Sequence, residues 1–201
     1  MAAGLTANQS CDQLEIMSAK TSPILLFLSE LAKRPRQMGT IWPSSPVLAE
    51  VMARWLPEHK DQLILELGPG TGVVSEKLLA AGLPEEQLVA VEKSRRLAGF
   101  LSERFPKARI ISADALELDH ILAGMKFGGV FSSLPLKMFT DQQVERICAA
   151  IHNVLLPGAH WIQYSYQILN GHAPAKSFHA VDCEIVWQNL PPAKVSVYRG
   201  A

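Results

Sequence analysis

The hydrophobic pattern of this chain changes rhythm near residue 63. Before that point, residues 1–22 are polar and unpatterned. Residues 23–36, P-I-L-L-F-L-S-E-L-A-K-R-P-R, then place Ile24, Phe27, Leu28 and Leu31 on one helical face, followed at once by Lys33, Arg34 and Arg36. From about residue 63 onward, short apolar runs alternate with segments of helical period. The pattern predicts strands at 63–67, 88–91, 109–112 and 128–132, with helices at 73–81, 95–105 and 142–155 between them. The last helix is expected to open at Thr140 or Asp141 as cap and to close before Pro157-Gly158. The alternation then breaks. Residues 159–166, 183–188 and 195–199 all read as strands, and the link N-L-P-P-A-K is too short for a crossover helix, so the last two should pair antiparallel. The predicted class is α/β, a mostly parallel sheet with helices on both faces and an antiparallel end.

Length supports one such domain: 201 residues, 48% of them hydrophobic, suffice for a single sizeable core. The expected organisation is a mobile segment over 1–22, an N-terminal helical cap over 23–60 and the α/β domain over 61–201. Nineteen basic residues balance nineteen acidic ones, so there is no global positive field of the kind that holds a nucleic-acid backbone. Three cysteines show neither a disulfide framework nor metal-ligand spacing, which suits a reducing cytoplasm and predicts no metal. No run approaches the roughly 20 apolar residues that cross a bilayer, and the first residues lack a signal-peptide pattern, so a protein that is soluble or lies on a membrane is expected. The stripe at 23–36 suits an anionic membrane surface, although it would serve equally as a core helix.

The chemistry-bearing stretch is L-I-L-E-L-G-P-G-T-G-V-V, a buried strand running through a glycine-rich turn into a helix. Such a turn aims backbone N-H groups at a ligand and lets it approach closely. Val73 stands where a dinucleotide fingerprint would want its third glycine, which disfavours NAD. Glu92 closes the next strand, where a carboxylate can accept from both hydroxyls of a ribose, and Asp114 closes the one after, within reach of an adenine amino group. All three features fall on the strand edge where open α/β folds bind ligands.

This combination resembles the class I S-adenosylmethionine-dependent methyltransferases, over roughly residues 63–199. The resemblance implies a Rossmann-like, seven-stranded sheet ending in an antiparallel hairpin. It implies S-adenosylmethionine as cofactor, with Gly68, Gly70 and Gly72 against the methionine part, Glu92 on the ribose, Asp114 on the adenine and Glu66 supporting the loop. Lys93, Ala115 and Ser132 complete the expected cofactor contacts.

In that fold the fourth strand ends beside the reactive methyl, and here it ends in S-S-L-P-L. Enzymes that methylate planar nitrogens commonly place Asn or Asp, Pro, Pro and an aromatic there. Ser132 or Ser133 stands for the amide and Leu136 for the aromatic, which is a poor base clamp and better suited to a small tetrahedral amine. The chain is more closely similar to the bacterial phospholipid N-methyltransferases, the phosphatidylethanolamine N-methyltransferase family, through R-P-R-Q-M-G-T, W-P-S-S-P-V-L-A, E-L-G-P-G-T-G, S-S-L-P-L and V-W-Q-N-L-P-P-A-K-V-S-V-Y. It departs from that family in having Ser133 where a glycine is expected, and in a longer, more polar stretch over 167–176. The resemblance implies methylation of the amine of phosphatidylethanolamine or a related aminolipid, toward phosphatidylcholine, by a cytoplasmic protein lying on the inner face of the cell membrane. Trp42 and the paired Ser44 and Ser45 join the stripe as expected lipid contacts.

An alkyl ammonium, with a pKa of about 10, has no lone pair until it loses a proton. Tyr164, Tyr166 and His172, near the end of the fifth strand, are candidates to take that proton, with Ser132 and Ser133 meeting the acceptor. Tyr166 or Trp42 could hold a more methylated head group by cation-π attraction. The rival readings are an RNA adenine N6-methyltransferase, against which the neutral charge balance counts, and a non-catalytic membrane-binding module that retains the fold.

Overall fold

The computed structural model describes residues 45–58, 61–166 and 177–200. Its elements in chain order are α1 (Pro46–Ala53), β1 (Ile64–Leu67), α2 (Val73–Ala80), β2 (Leu88–Glu92), α3 (Arg95–Arg104), β3 (Arg109–Ser112), α4 (Leu118–Ile121), β4 (Phe127–Ser132), α5 (Asp141–Val154), β5 (Leu155–Ser165), β6 (Phe178–Val186) and β7 (Ala193–Gly200). One seven-stranded sheet has the order β3-β2-β1-β4-β5-β7-β6. Strands β1 to β5 pair in parallel, whereas β7 runs antiparallel to both β5 and β6. The expected Rossmann-like sheet with its antiparallel C-terminal hairpin is therefore what the chain forms. Strand order reverses at β1, where β2 lies on one side and β4 on the other, and ligands of such sheets bind at the carboxyl ends beside that switch.

Two apolar layers sandwich the sheet. On one face Leu65, Val130 and Trp161 pack with Val144, Ile147 and Ile151 of α5. On the other, Ile64, Phe131 and Ile162 pack with Leu48 and Met52 of α1 and with Val74 and Leu78 of α2. Side chains alternate between faces along each strand, so the same register that buries these residues decides which polar groups at the strand ends share a side. Burying a side chain of this size stabilises by about 1.5–3 kcal/mol.

Three expectations are adjusted. The helix α5 opens as expected at Thr140, whose hydroxyl accepts from Gln143 N-H while the Gln143 side chain accepts from Thr140 N-H. It closes before Pro157-Gly158 as expected, at Val154, but the next strand, expected from residue 159, begins at Leu155 and runs through both residues. Gly158, at φ 80°, and a register shift between Phe127 and Gly129 opposite it absorb the irregularity. The hairpin strands are also longer than the sequence pattern indicated. Finally, α1 packs by Leu48, Ala49, Val51, Met52 and Ala53 into the face of the sheet, so only its N-terminal end at Ser45 reaches the ligand edge. Among the described residues no helix is long and apolar enough to cross a membrane.

Candidate active site

The glycine turn after β1 is built from three left-handed residues, Gly68, Gly70 and Gly72, at φ 69°, 61° and 82°. A side chain would be strained at each, and at Gly72 an added Cβ would lie 2.7 Å from Phe105 and 2.9 Å from Leu101. Glu92, at the end of β2, is buried beside the turn. Its Oε2 accepts from Gly70 N-H at 3.1 Å and its Oε1 from Ser94 N-H at 2.8 Å. The expected ribose ligand is thus also the group that fixes the loop, holding a backbone array in place by charge-assisted bonds.

Glu66 lies fully buried on β1, and Ser75 Oγ of α2 donates to its Oε2 at 2.5 Å. Its Oε1 is buried with no hydrogen-bond partner. Burial pushes the carboxyl up to about 7, the bonds from Ser75 oppose that shift, and the Glu92 charge adds to it. The side chain ties the end of β1 to the first turn of α2. Asp114 stands two residues beyond the end of β3 rather than within it. Its Oδ1 accepts from Leu116 N-H at 3.1 Å, capping the short helical turn Ala115–Glu117, and its Oδ2 pairs with Lys93 Nζ at 2.6 Å. Lys93 and Asp114, expected as separate contacts, are one ion pair spanning the ends of β2 and β3. Ala115 is buried in the α5-side layer.

Ser132 is fully buried at the end of β4, and its Oγ accepts from Leu134 N-H at 3.3 Å. Ser133 N-H donates to the Leu67 carbonyl at 2.9 Å, tying this segment to the end of β1. A Cβ added at Gly68 would meet Leu134 Cδ2 at 3.3 Å and the Ser133 carbonyl carbon at 3.7 Å. The glycine turn and S-S-L-P-L are therefore in van der Waals contact, so a group held by one faces the other.

Gln163 is a member of this site that the sequence reading missed. It pairs with Ser132 across β4 and β5 and is buried. Its Nε2 donates to the Leu134 carbonyl at 3.0 Å and to the Tyr164 carbonyl at 2.6 Å. Leu136 N-H also donates to the Leu134 carbonyl, at 2.9 Å, so both lone-pair positions of that oxygen are taken. The one available signal was a glutamine between apolar residues in W-I-Q-Y.

The tyrosines stand apart from the serines. Alternation along β5 sends Gln163 to the α5 face, with Trp161, and Tyr164 to the α1 face, with Ile162. Tyr164 and Tyr166 meet edge to face at 5.6 Å. Burial pushes the Tyr166 hydroxyl well above the usual phenol range, with Tyr164 adding to the shift and a hydrogen bond to Asn189 opposing it. That shift puts the Tyr166 phenolate further from reach near neutrality. Ser45, expected at a lipid, has its Oγ occupied as the α1 cap by Leu48 N-H at 3.1 Å, and its own N-H donates to Asn189 Oδ1 at 3.2 Å. Ile24, Phe27, Leu28, Leu31, Lys33, Arg34, Arg36, Trp42, Ser44 and His172 lie outside the described residues.

Comparison with known proteins gives this edge its chemistry. Residues 64–158 match the family model described as a methyltransferase domain. This stretch is a class I methyltransferase domain. Its cofactor is S-adenosylmethionine, and the turn of left-handed glycines, with a buried carboxylate beside it, fits an adenosyl sulfonium. The domain superposes with a TM-score of 0.60 on the N-methyltransferase NodS from Bradyrhizobium japonicum WM9 in complex with S-adenosyl-l-homocysteine, at 17% identity, over 78% of this chain and 89% of that one. The chain is 26% identical over 186 residues to an ornithine lipid N-methyltransferase of Singulisphaera acidiphila, covering 87% of this chain and 95% of that protein. It is 33% identical over 90 residues to the ribosomal RNA small subunit methyltransferase A of Synechococcus sp. (strain JA-3-3Ab), a match that spans 41% of this chain and 31% of that protein.

Proposed function

We propose that this methyltransferase acts on the primary amine of an aminolipid head group at a membrane surface, phosphatidylethanolamine or a related lipid, adding successive methyl groups. The observation that carries this reading is the acceptor segment. It presents Ser133 where a planar-nitrogen enzyme needs an amide, and Leu136 where it needs a ring, and the Leu134 carbonyl is already filled by Gln163 and Leu136. A flat exocyclic amine finds neither clamp nor stacking surface here, whereas a tetrahedral amine needs only a hydroxyl and alignment. The near full-length likeness to an ornithine lipid N-methyltransferase supports the same acceptor class, while the RNA-acting relative is matched over a minor part of its length.

When bound, S-adenosylmethionine supplies an electrophilic methyl group for in-line displacement. Glu92 would accept from the ribose hydroxyls, Asp114 would lie at the adenine, and the turn at Gly68, Gly70 and Gly72 would hold the methionine part. The ammonium must shed its proton before attack, and with Tyr166 held neutral that proton passes to water at the mouth of the site, or to the serine hydroxyls as relays. The rate should therefore rise with pH through the neutral and mildly alkaline range.

The test is the destination of label. Incubated with methyl-labelled S-adenosylmethionine, vesicles containing phosphatidylethanolamine or ornithine lipid should yield labelled head groups, and ribosomal RNA should stay unlabelled. Label in RNA alone would overturn the reading. Cofactor binding with no label in either would leave a domain that binds but does not transfer to these acceptors.

A further inference from the structure

The terminal motif W-Q-N-L-P-P-A has so far had no role. It forms the tip of the β6-β7 hairpin, and it holds the two most exposed of the large apolar side chains described: Trp187, 67% exposed, and Leu190, 78%. The sheet register fixes where this tip lies. Ser132 at the end of β4 pairs with Gln163, Ser165 at the end of β5 pairs with Lys194, and Val186 pairs with Ala193 across the hairpin. The tip thus leaves the same edge of the sheet as the glycine turn and the acceptor segment. With strands spaced about 4.8 Å apart, it stands about 10–15 Å from the end of β4.

Other exposed apolar groups collect at this edge. Met138 and Lys137 project from the acceptor segment as it leads into α5, and Val47 sits in the first turn of α1. Four of the five exposed large hydrophobics described, Val47, Met138, Trp187 and Leu190, belong to segments at the cofactor edge; Val181, in the middle of the outer strand, is the exception. Residues 133–140 and 187–194 each carry a lysine and no carboxylate, so the rim around the acceptor is apolar with a positive fringe. The tip itself is rigid where it matters. Asn189 is buried, its Nδ2 donates to the Pro191 carbonyl at 2.7 Å, and its Oδ1 accepts from Ser45 N-H, which leaves Trp187 and Leu190 outward on a braced turn. Ser45 is also where the N-terminal residues join the described chain, and the sequence places the last of their basic stripe, Arg36, nine positions earlier (45 − 36).

We infer that Trp187 and Leu190, with Met138 and Lys137 across the acceptor site, are the docking surface that seats this edge on an anionic lipid bilayer. An indole and an aliphatic chain on a braced hairpin suit the headgroup boundary, where an amphipathic ring finds both apolar and polar surroundings. Lysine at the rim adds attraction to anionic lipid. The inference deepens the aminolipid reading and rests on it: a lipid amine reaches S-S-L-P-L without leaving the bilayer only if this edge faces the membrane.

The experiment compares the full chain with Trp187→Ser/Leu190→Ser on vesicles of phosphatidylethanolamine and phosphatidylglycerol, by co-sedimentation. Both sites are exposed, so the variant should keep its melting temperature and its affinity for S-adenosylmethionine while vesicle affinity falls about tenfold or more. Brominated lipid should quench the tryptophan fluorescence of the wild type more than that of Trp187→Phe. Unchanged vesicle binding in the double variant, or equal quenching in the two proteins, overturns the docking surface. A change of molecular mass in solution, with vesicle binding untouched, overturns it in favour of contact between two copies. Loss of vesicle binding in a protein whose wild type labels only RNA supports the surface and removes the lipid substrate. Labelled lipid with an unaffected double variant removes the surface and keeps the substrate.

Discussion

The Gln163 side chain holds the Leu134 carbonyl at 3.0 Å, clamping the acceptor segment from the strand beside it. That bond joins two strand ends at the place where donor and acceptor must align, and small displacements there cost rate steeply. Gln163→Leu keeps the volume and removes the bond, at a cost of about 1–2 kcal/mol of stability. Methyl transfer at saturating cofactor should slow about tenfold or more, with S-adenosylmethionine affinity within about twofold of wild type. Steady-state kinetics beside calorimetric titration separates the two. Equal loss of both would show that Gln163 supports the whole edge rather than the acceptor side.

Glu92→Ala removes the carboxylate that Gly70 and Ser94 N-H groups donate to. Cofactor affinity should weaken by about 1–3 kcal/mol, and the cofactor-free protein should also melt earlier, because half-buried backbone donors lose their partner. Glu92→Gln, which keeps an acceptor oxygen, should recover part of the melting temperature and less of the affinity. Titration calorimetry and thermal denaturation measure the two losses independently.

Glu66 makes stability depend on pH in a definite direction. Its carboxyl is raised in the folded protein to about 7 from an ordinary value of 4.5, so the folded state binds the proton more tightly than the unfolded state does. The stabilisation from this group is complete below about pH 4.5 and is lost as pH rises through about 7, with a slope of at most about 1.4 kcal/mol per pH unit. Cofactor-free wild type should lose stability between about pH 5 and about pH 7.5 relative to Glu66→Gln, which cannot titrate and whose amide can still pair with Ser75. Denaturant midpoints across that range would show parallel curves for the two proteins if the buried carboxyl carried no shift.

Gly72→Ala asks the cofactor turn to hold a methyl group at φ 82° against Phe105 and Leu101. Strain and overpacking together should cost about 2–4 kcal/mol. Shortening one neighbour in Leu101→Ala/Gly72→Ala should relieve the contact with Leu101 but neither the closer one with Phe105 nor the backbone strain. Urea unfolding of the single and double variants distinguishes the two contributions.

The parallel part of the fold was legible because its strands carry local signals: apolar runs such as L-I-L-E-L and L-V-A-V-E, each ended by a turn or a cap. The glycine turn and the carboxylate that braces it were legible for the same reason, since Gly68, Gly70, Gly72 and Glu92 announce themselves by type and spacing. What the sequence hid depends on register. Gln163 reads as an interruption in an apolar strand until β4 is set beside β5, and only then does it reach Leu134. Tyr164 and Tyr166 are candidates by their place near the fifth strand's end, yet alternation turns Tyr164 toward the face of the sheet opposite Ser132. Pro157-Gly158 read as a break because β5 takes them up in an irregularity of its own, its extra residues standing opposite Phe127 and Gly129 of β4. Trp187 and Leu190 carry no local signal that sets them outside; their exposure accompanies the brace at Asn189, a long-range contact with Ser45.

The shared edge of the glycine turn, S-S-L-P-L and the W-Q-N-L-P-P-A tip has a kinetic meaning. An enzyme whose working groups all leave one side of one sheet meets a lamellar substrate in a single orientation, and then samples acceptors by lateral diffusion in two dimensions. With the proposed aminolipid as acceptor, velocity should follow the mole fraction of that lipid within each vesicle. Diluting that lipid with an inert neighbour at constant bulk concentration should slow turnover as effectively as withdrawing it from the solution.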